Sequence, residues 1–284
     1  MGVSFLVCVP RRVAGVVFAT VLLAGGSVGC GGGGKSDSAV ADPSKVTPAA
    51  AVAKAAKNSE DITSLHYRIS GTVPAKGRLA AEASMHTQPL AMSMTMTGAA
   101  YADGNGQVEI RIVDEVMYVG GSAVRSEKLK GKDWLTSAPA VWGRGGVDNQ
   151  SYGVLPSQLQ VNPAAQSMLL AGSKDLRLIG TETVDGTRTT HYRGTVDRDG
   201  LIGERLDQFI QLEVSEPLTM DLWIDGDDRT KQFRMRAEHN DMLPGTGDGP
   251  LDLTVTFLDI NQPTTIKAPP TEDTTPITDN AVEG

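Results

Sequence analysis

Apolar and polar side chains alternate again and again along this chain, and that pattern restricts what it can fold into. In "LAMSMTMTG" (90–98), Leu90, Met92, Met94 and Met96 take every second position, with Ala91, Ser93, Thr95 and Thr97 between them. Successive side chains on a strand point to opposite faces, so a period of two makes one apolar side and one polar side. A helix would need apolar residues three and four apart. The alternation returns in Leu65, Tyr67 and Ile69, in Val108, Ile110 and Ile112, and in Leu218, Met220, Leu222 and Ile224. It returns again in Phe233, Met235 and Ala237, and in Leu251, Leu253, Val255 and Phe257. Asp185-Gly186, between two such runs, is a strong hairpin signal. Asp114-Glu115 turns the chain into 116–120.

Helical patterns are few. Thr47 is placed to cap a helix over 48–62, with Pro48 in its first turn. Asn162-Pro163 opens a second over 162–171, and a third over 200–213 buries Ile202, Leu206, Phe209 and Ile210. About ten strands, each with one apolar face, outnumber the helices that could cover them, and a sheet of that size curls. The expectation is an α+β fold with 65–120 and 175–260 in one large antiparallel sheet. That sheet either closes into a barrel or wraps its helices as a half-barrel. Either shape leaves an apolar concavity, and Leu90, Met92, Met94, Met96, Leu218, Met220, Leu222 and Ile224 are its candidate lining. Methionine is pliable and suits a lining with variable partners, though a methionine stripe also serves as plain core.

The N-terminus sets the compartment. Arg11-Arg12 is followed by an apolar run over 13–24, then small residues, then Cys30 and four glycines. The run has the length of a signal-peptide core and is short for a membrane span. The pattern looks like a bacterial lipoprotein signal over 1–29, cleaved before Cys30, which then carries lipid. Ser27 stands where such signals usually have leucine. Cys8 leaves with the signal, so the mature chain has one cysteine, acylated, and neither a disulfide nor a catalytic thiol. Loss of 1–29 removes two arginines and no acid, which turns 26 basic against 34 acidic residues into 24 against 34, a formal charge of −10. That excludes nucleic acid as an expected partner and disfavours electrostatic docking on anionic headgroups. Residues 30–46 read as the lipidated cysteine and a flexible tether, 47–260 as the ordered domain, and the Pro-, Thr- and acid-rich 261–284 as a disordered tail.

Several stretches, in order, carry a resemblance. A lipidated cysteine and a Gly/Ser tether lead through a helix into "SLHYRISGTV" (64–73). "GTETVDGTRTTHYRGTVD" (180–197) follows, with Gly186 at its turn, and then "MDLWIDGDDRTKQFRM" (220–235), with Trp223 before its turn. Over most of 50–260 the chain resembles the LppX/LprG family of actinobacterial lipoproteins, relatives in fold of the LolA and LolB carriers. The resemblance implies a U-shaped antiparallel half-barrel with about three helices on its concave side. It implies binding and movement of lipids or lipoglycans through the cell envelope, from the extracytoplasmic face of the membrane. It transfers no catalytic or lining residue.

Nothing in the residues asks for catalysis or a cofactor. His66, His86, His191 and His239 stand in no metal-binding spacing and are expected on solvent-facing strand positions. There is no G-x-S-x-G elbow and no phosphate-cradling glycine loop. Asp225, Asp227 and Asp228 lack calcium-loop spacing and read as a hairpin turn. The competing reading is a tethered module that assists an envelope sensor or cell-wall enzyme, with a filled core instead of a lipid cavity.

Overall fold

The computed structural model describes residues 46–73, 77–98, 106–124, 129–139, 167–201, 217–238 and 250–277. All lie in one compact unit, Ser44–Gly284, separate from residues 1–43. Helix α1 (Pro48–Glu60) precedes five strands that follow one another closely: β1 (Ser64–Val73), β2 (Gly77–Thr87), β3 (Leu90–Gly98), β4 (Gln107–Val113) and β5 (Val116–Gly120). After them come β6 (Trp134–Ser137), β7 (Arg177–Val184), β8 (Thr187–Val196), β9 (Leu218–Ile224), β10 (Thr230–Ala237), β11 (Leu251–Ile260) and the short β12 (Thr274–Pro276).

All twelve strands join one curved, unclosed sheet in the order β12-β6-β5-β4-β3-β2-β1-β11-β10-β9-β8-β7. β1–β6 form one meander and β7–β11 another, each strand pairing with its sequence neighbour. They meet at a single antiparallel seam, β1 against β11, from Leu65↔Ile260 to Thr72↔Asp252. Pairing is antiparallel everywhere except between β12 and β6, which run parallel. Two hairpins use both central residues at positive φ, Asp185-Gly186 (45° and 74°) and Asp114-Glu115 (50° and 63°). This is the mirror-image turn whose twist matches the flanking strands.

The register stacks one apolar face across the sheet. Leu222 lies opposite Phe233, Phe233 opposite Val255, Val255 opposite Ile69, Ile69 opposite Ala81 and Ala81 opposite Met96. α1 covers part of this face: Val52 and Ala55 are fully buried, and the helix packs on residues 167–172 and on β10. The Thr47 hydroxyl caps it by accepting from the Ala50 N–H at 3.3 Å, and Pro48 occupies its first turn. Lys54 and Asn58 tie it to Asp228, in the β9–β10 turn, at 2.6 and 2.9 Å.

Three expectations change. Among the described residues there is one α-helix, not three. Ser167–Gly172, expected as the end of an α-helix, winds as a 3-10 turn. The tighter turn buries the adjacent Leu169 and Leu170 together, and Gly172 leads straight into the Ser173–Asp175 turn. Residues 162–166 and most of 200–213 lie outside the described residues, as do Cys30, the signal and most of the tether. The ordered domain also does not stop at 260. Residues 261–277, expected as disordered tail, run along the sheet and end in β12, because sheet side chains and strand edges hold their backbone carbonyls. Residues 278–284 lie outside the described residues.

The seam depends on Gly71. It sits at φ +148°, and a Cβ there would stand 1.9 Å from the Asp252 carbonyl oxygen. Gly71→Ala should therefore cost about 3 kcal/mol, from backbone strain and forced separation of β1 from β11. A denaturant midpoint corresponding to a loss under about 1 kcal/mol would show that the seam relaxes easily.

Candidate functional site

The eight residues named as lining share one face of the sheet. Met92, Met94 and Met96 are buried on β3, with Leu90 half-buried at its start. Leu218, Met220, Leu222 and Ile224 are buried on β9. The two strands are not neighbours. β2, β1, β11 and β10 lie between them, about 24 Å along a flat sheet. Both strands present these residues on the same face of the curved sheet, and the rows between them complete that face.

Those intervening rows, and β5 beyond β3, hold residues the sequence did not single out for this site. Met85 on β2, Met117 on β5 and Met235 on β10 are each at most 1% exposed, and Phe233 and Phe257 are buried beside them. With Met92, Met94, Met96 and Met220, seven of the chain's ten methionines stand on this face. Each obeys the same period of two, so the pattern that identified β3 identifies them once the register is known. From β6 to β9 no buried side chain on this face is charged among the described residues. Tyr67 lies on it, and burial pushes its phenol well above the ordinary value, so it stays neutral there. At the β7 end the face runs out to a free edge, where Leu178 and Ile179 are 55% and 44% exposed.

The opposite face of β8–β10 is polar and locked. Asp221, 1% exposed, accepts from Arg193 Nε and His191 Nε2, each at 2.6 Å, and from Arg236 Nη2 at 2.7 Å. Glu182 Oε1 lies 2.7 Å from His191 Nδ1, and the His191 ring stacks on Trp223 at 4.3 Å. Arg234 grips both oxygens of Asp252. Burial pushes the Asp221 carboxyl up, but hydrogen bonds from Arg193, His191 and Arg236 together outweigh it and hold it below the usual range. The Arg234 hydrogen bond holds Asp252 below its usual range too. His191 thus departs from the solvent-facing position expected of the histidines. His66 and His86 are partly exposed, and His239 lies outside the described residues. Pairing across strands creates this cluster, and the linear spacing of 191 and 221 does not announce it. Both oxygens of Asp221 and of Asp252 are engaged, so the arrangement fastens strands together.

The aspartates after β9 build a turn. Asp225 Oδ1 accepts from the N–H groups of Asp227 and Arg229, each at 2.9 Å, and Asp228 pairs with Lys54.

The comparisons with known proteins fit this geometry. The family described as LppX_LprAFG lipoprotein has a model that matches residues 156–266, the stretch holding β7–β11 and two of the three segments quoted above. The resemblance to the LppX/LprG-type lipoproteins holds. LprF from Mycobacterium bovis has the same fold at a TM-score of 0.51 and 14% identity, covering 78% of this chain and 96% of that one. Lipoprotein LppX from Mycobacterium tuberculosis aligns at 0.47 and 18%, covering 78% and 98%. An uncharacterized 31.2 kDa protein of Streptomyces griseus is 28% identical over 166 residues, 52% of this chain and 53% of that protein, so the chain spans about half the length of this curated relative.

The polar lock gives an acid limit. Asp221 and Asp252 have folded pKa values below their unfolded ones, so they add stability that is complete above the unfolded value of about 3.9 and disappears as pH falls through the folded value. Urea midpoints should hold steady above about pH 5 and drop below about pH 4. Asp221→Asn should flatten part of that acid drop and cost about 3 kcal/mol at neutral pH, since two arginines lose their shared partner. An unchanged acid limb in the variant would place the titration elsewhere.

Proposed function

We propose that the chain is a membrane-anchored envelope lipoprotein that binds lipids or lipoglycans on the apolar face of its sheet and shuttles them. The observation that supports this best is that face itself: without a buried charge from β6 to β9 among the described residues, and furnished with seven methionines. Leu90, Met92, Met94 and Met96 on one side, and Leu218, Met220, Leu222 and Ile224 on the other, contact the acyl chains. α1 and the 3-10 turn at Ser167–Gly172 cover them, together with the helix that the pattern assigns to 200–213. Unbranched thioether side chains re-pack at low cost, so acyl chains of different lengths can replace side-chain contacts. Each buried methylene contributes about 0.8 kcal/mol, so a chain of about fifteen supplies on the order of 12 kcal/mol before immobilisation costs. Binding of this kind needs no nucleophile, metal or cofactor, and the protein acts as a carrier, not an enzyme. Acylated Cys30 holds it on the extracytoplasmic face of the cell membrane, and residues 31–46 give it reach.

A second reading has its own support. The lining residues are packed in one hydrophobic cluster with Val52, Ala55, Leu169 and Leu170, and the β7 edge leaves Leu178 and Ile179 uncovered. A tethered protein-interaction module would have those features as well.

Two measurements separate the readings. Native mass spectrometry of the Cys30→Ala protein, purified from a lipid-containing host, should show a bound lipid, and a fluorescent fatty acid should displace it. Met94→Glu should abolish that uptake, because a carboxylate in this face is buried without a partner. A lipid-free protein that also takes up no probe would favour the interaction module. The anchor has its own test: Cys30→Ala should move the protein from the membrane fraction into the medium, and retention in the membrane would overturn the lipid attachment.

A further inference from the structure

We propose that residues 261–277 are a strap across the outer, polar face of the sheet, limiting how far the β1–β6 half can curl and so setting the width of the apolar concavity. The anchors lie in order across the strands. The Asn261 N–H donates to the Ser64 carbonyl at 2.9 Å, and the Ser64 hydroxyl, on β1, donates to the Gln262 carbonyl at 2.8 Å. His86 Nε2, on β2, donates to the Thr264 carbonyl at 2.9 Å. Arg111 Nη1, on β4, donates to the Lys267 carbonyl at 3.3 Å, while its guanidinium lies 4.6 Å over the Trp134 ring of β6. Lys132 Nζ donates to the Glu272 carbonyl at 2.6 Å. β12 then pairs with β6, with the Thr275 hydroxyl donating to the Leu129 carbonyl at 2.7 Å.

The span is bounded. From β11 to β12 the sheet order has seven strand steps, about 34 Å when flat. Fourteen residue steps reach about 43 Å, once the 3-10 turn at Thr271–Asp273 is allowed for, and the path runs obliquely. Between the anchors on β2 and β4, three residues span two strand spacings, about 10 Å of distance with about 10 Å of backbone reach, to which the Arg111 side chain adds its own length. Curling the sheet further towards its apolar side lengthens the path over the outer face, and the anchors at Ser64, His86, Arg111 and Lys132 oppose that lengthening. The strap therefore opposes closure of the concavity and keeps β6 on the sheet edge. The link to ligand width rests on the lipid-carrier reading; the mechanical role does not.

The test replaces residues 265–271 of the full chain with a seven-residue site-specific protease sequence, which keeps the length of the strap, and cuts it after purification, so that the protein has already folded. Hydrogen exchange should become at least tenfold faster in β5 and β6 on cutting and stay unchanged in β8–β10. The preferred length of fluorescent fatty acids should shift to shorter chains. Arg111→Ala, uncut, should reproduce the exchange change at smaller size. Exchange that is unaltered in β5 and β6, or that rises equally in every strand, overturns the strap. The expected exchange pattern in a protein that binds no fatty acid, cut or uncut, supports the strap and counts against the carrier reading alone.

Discussion

The whole sheet hangs on the pairing of β1 with β11. Each meander is built from contacts between sequence neighbours, which close quickly and at small entropic cost. The seam is different: it joins Leu65 to Ile260 and Thr72 to Asp252, positions separated by most of the domain. Without it there are two half-sheets, each with an apolar face too narrow to enclose anything. With it there is one face from β6 to β9. At Gly71 the Asp252 carbonyl of the other half occupies the space a side chain would need.

The two faces then divide the labour. The inner face is rich in flexible side chains, which on the carrier reading tolerate changes of content. The outer face is cross-linked: Asp221 clamps β8, β9 and β10 together through His191, Arg193 and Arg236, and Arg234–Asp252 fastens β10 to β11. A deformable interior needs a stiff exterior if the sheet is to keep its register while its contents vary. The charge pairs and the strap meet that need from the outside, where they do not intrude on the apolar space.

Much of this was legible in the residues, for identifiable reasons. Strand existence and facing follow from a period of two, so Met92, Met94 and Met96 could be assigned to one side without coordinates. The Asp185-Gly186 turn follows from the φ values those residues accept. The pairing order of distant strands does not follow from local pattern, which is why β3 and β9 could be placed on one face but not spaced across it. His191 was misjudged for a related reason: its burial comes from Trp223 and Asp221 on the adjacent strand. The segment after Ile260 was misjudged for another. Its anchors are its own backbone carbonyls, held by Ser64, His86, Arg111 and Lys132, and any composition supplies carbonyls. A Pro- and Thr-rich sequence therefore hides the role that its chain path performs.

Seven thioethers on one surface also carry a chemical liability. Oxidation of a methionine to its sulfoxide turns a flexible apolar side chain into a polar one. While the face is covered, its sulfur atoms are shielded. On the carrier reading the face opens outside the cytoplasm, where its sulfur atoms meet the solvent together, and a few oxidised residues would make the surface reject apolar ligands. The property that lets this surface adapt to its contents is thus also what makes its working life depend on the redox state around it.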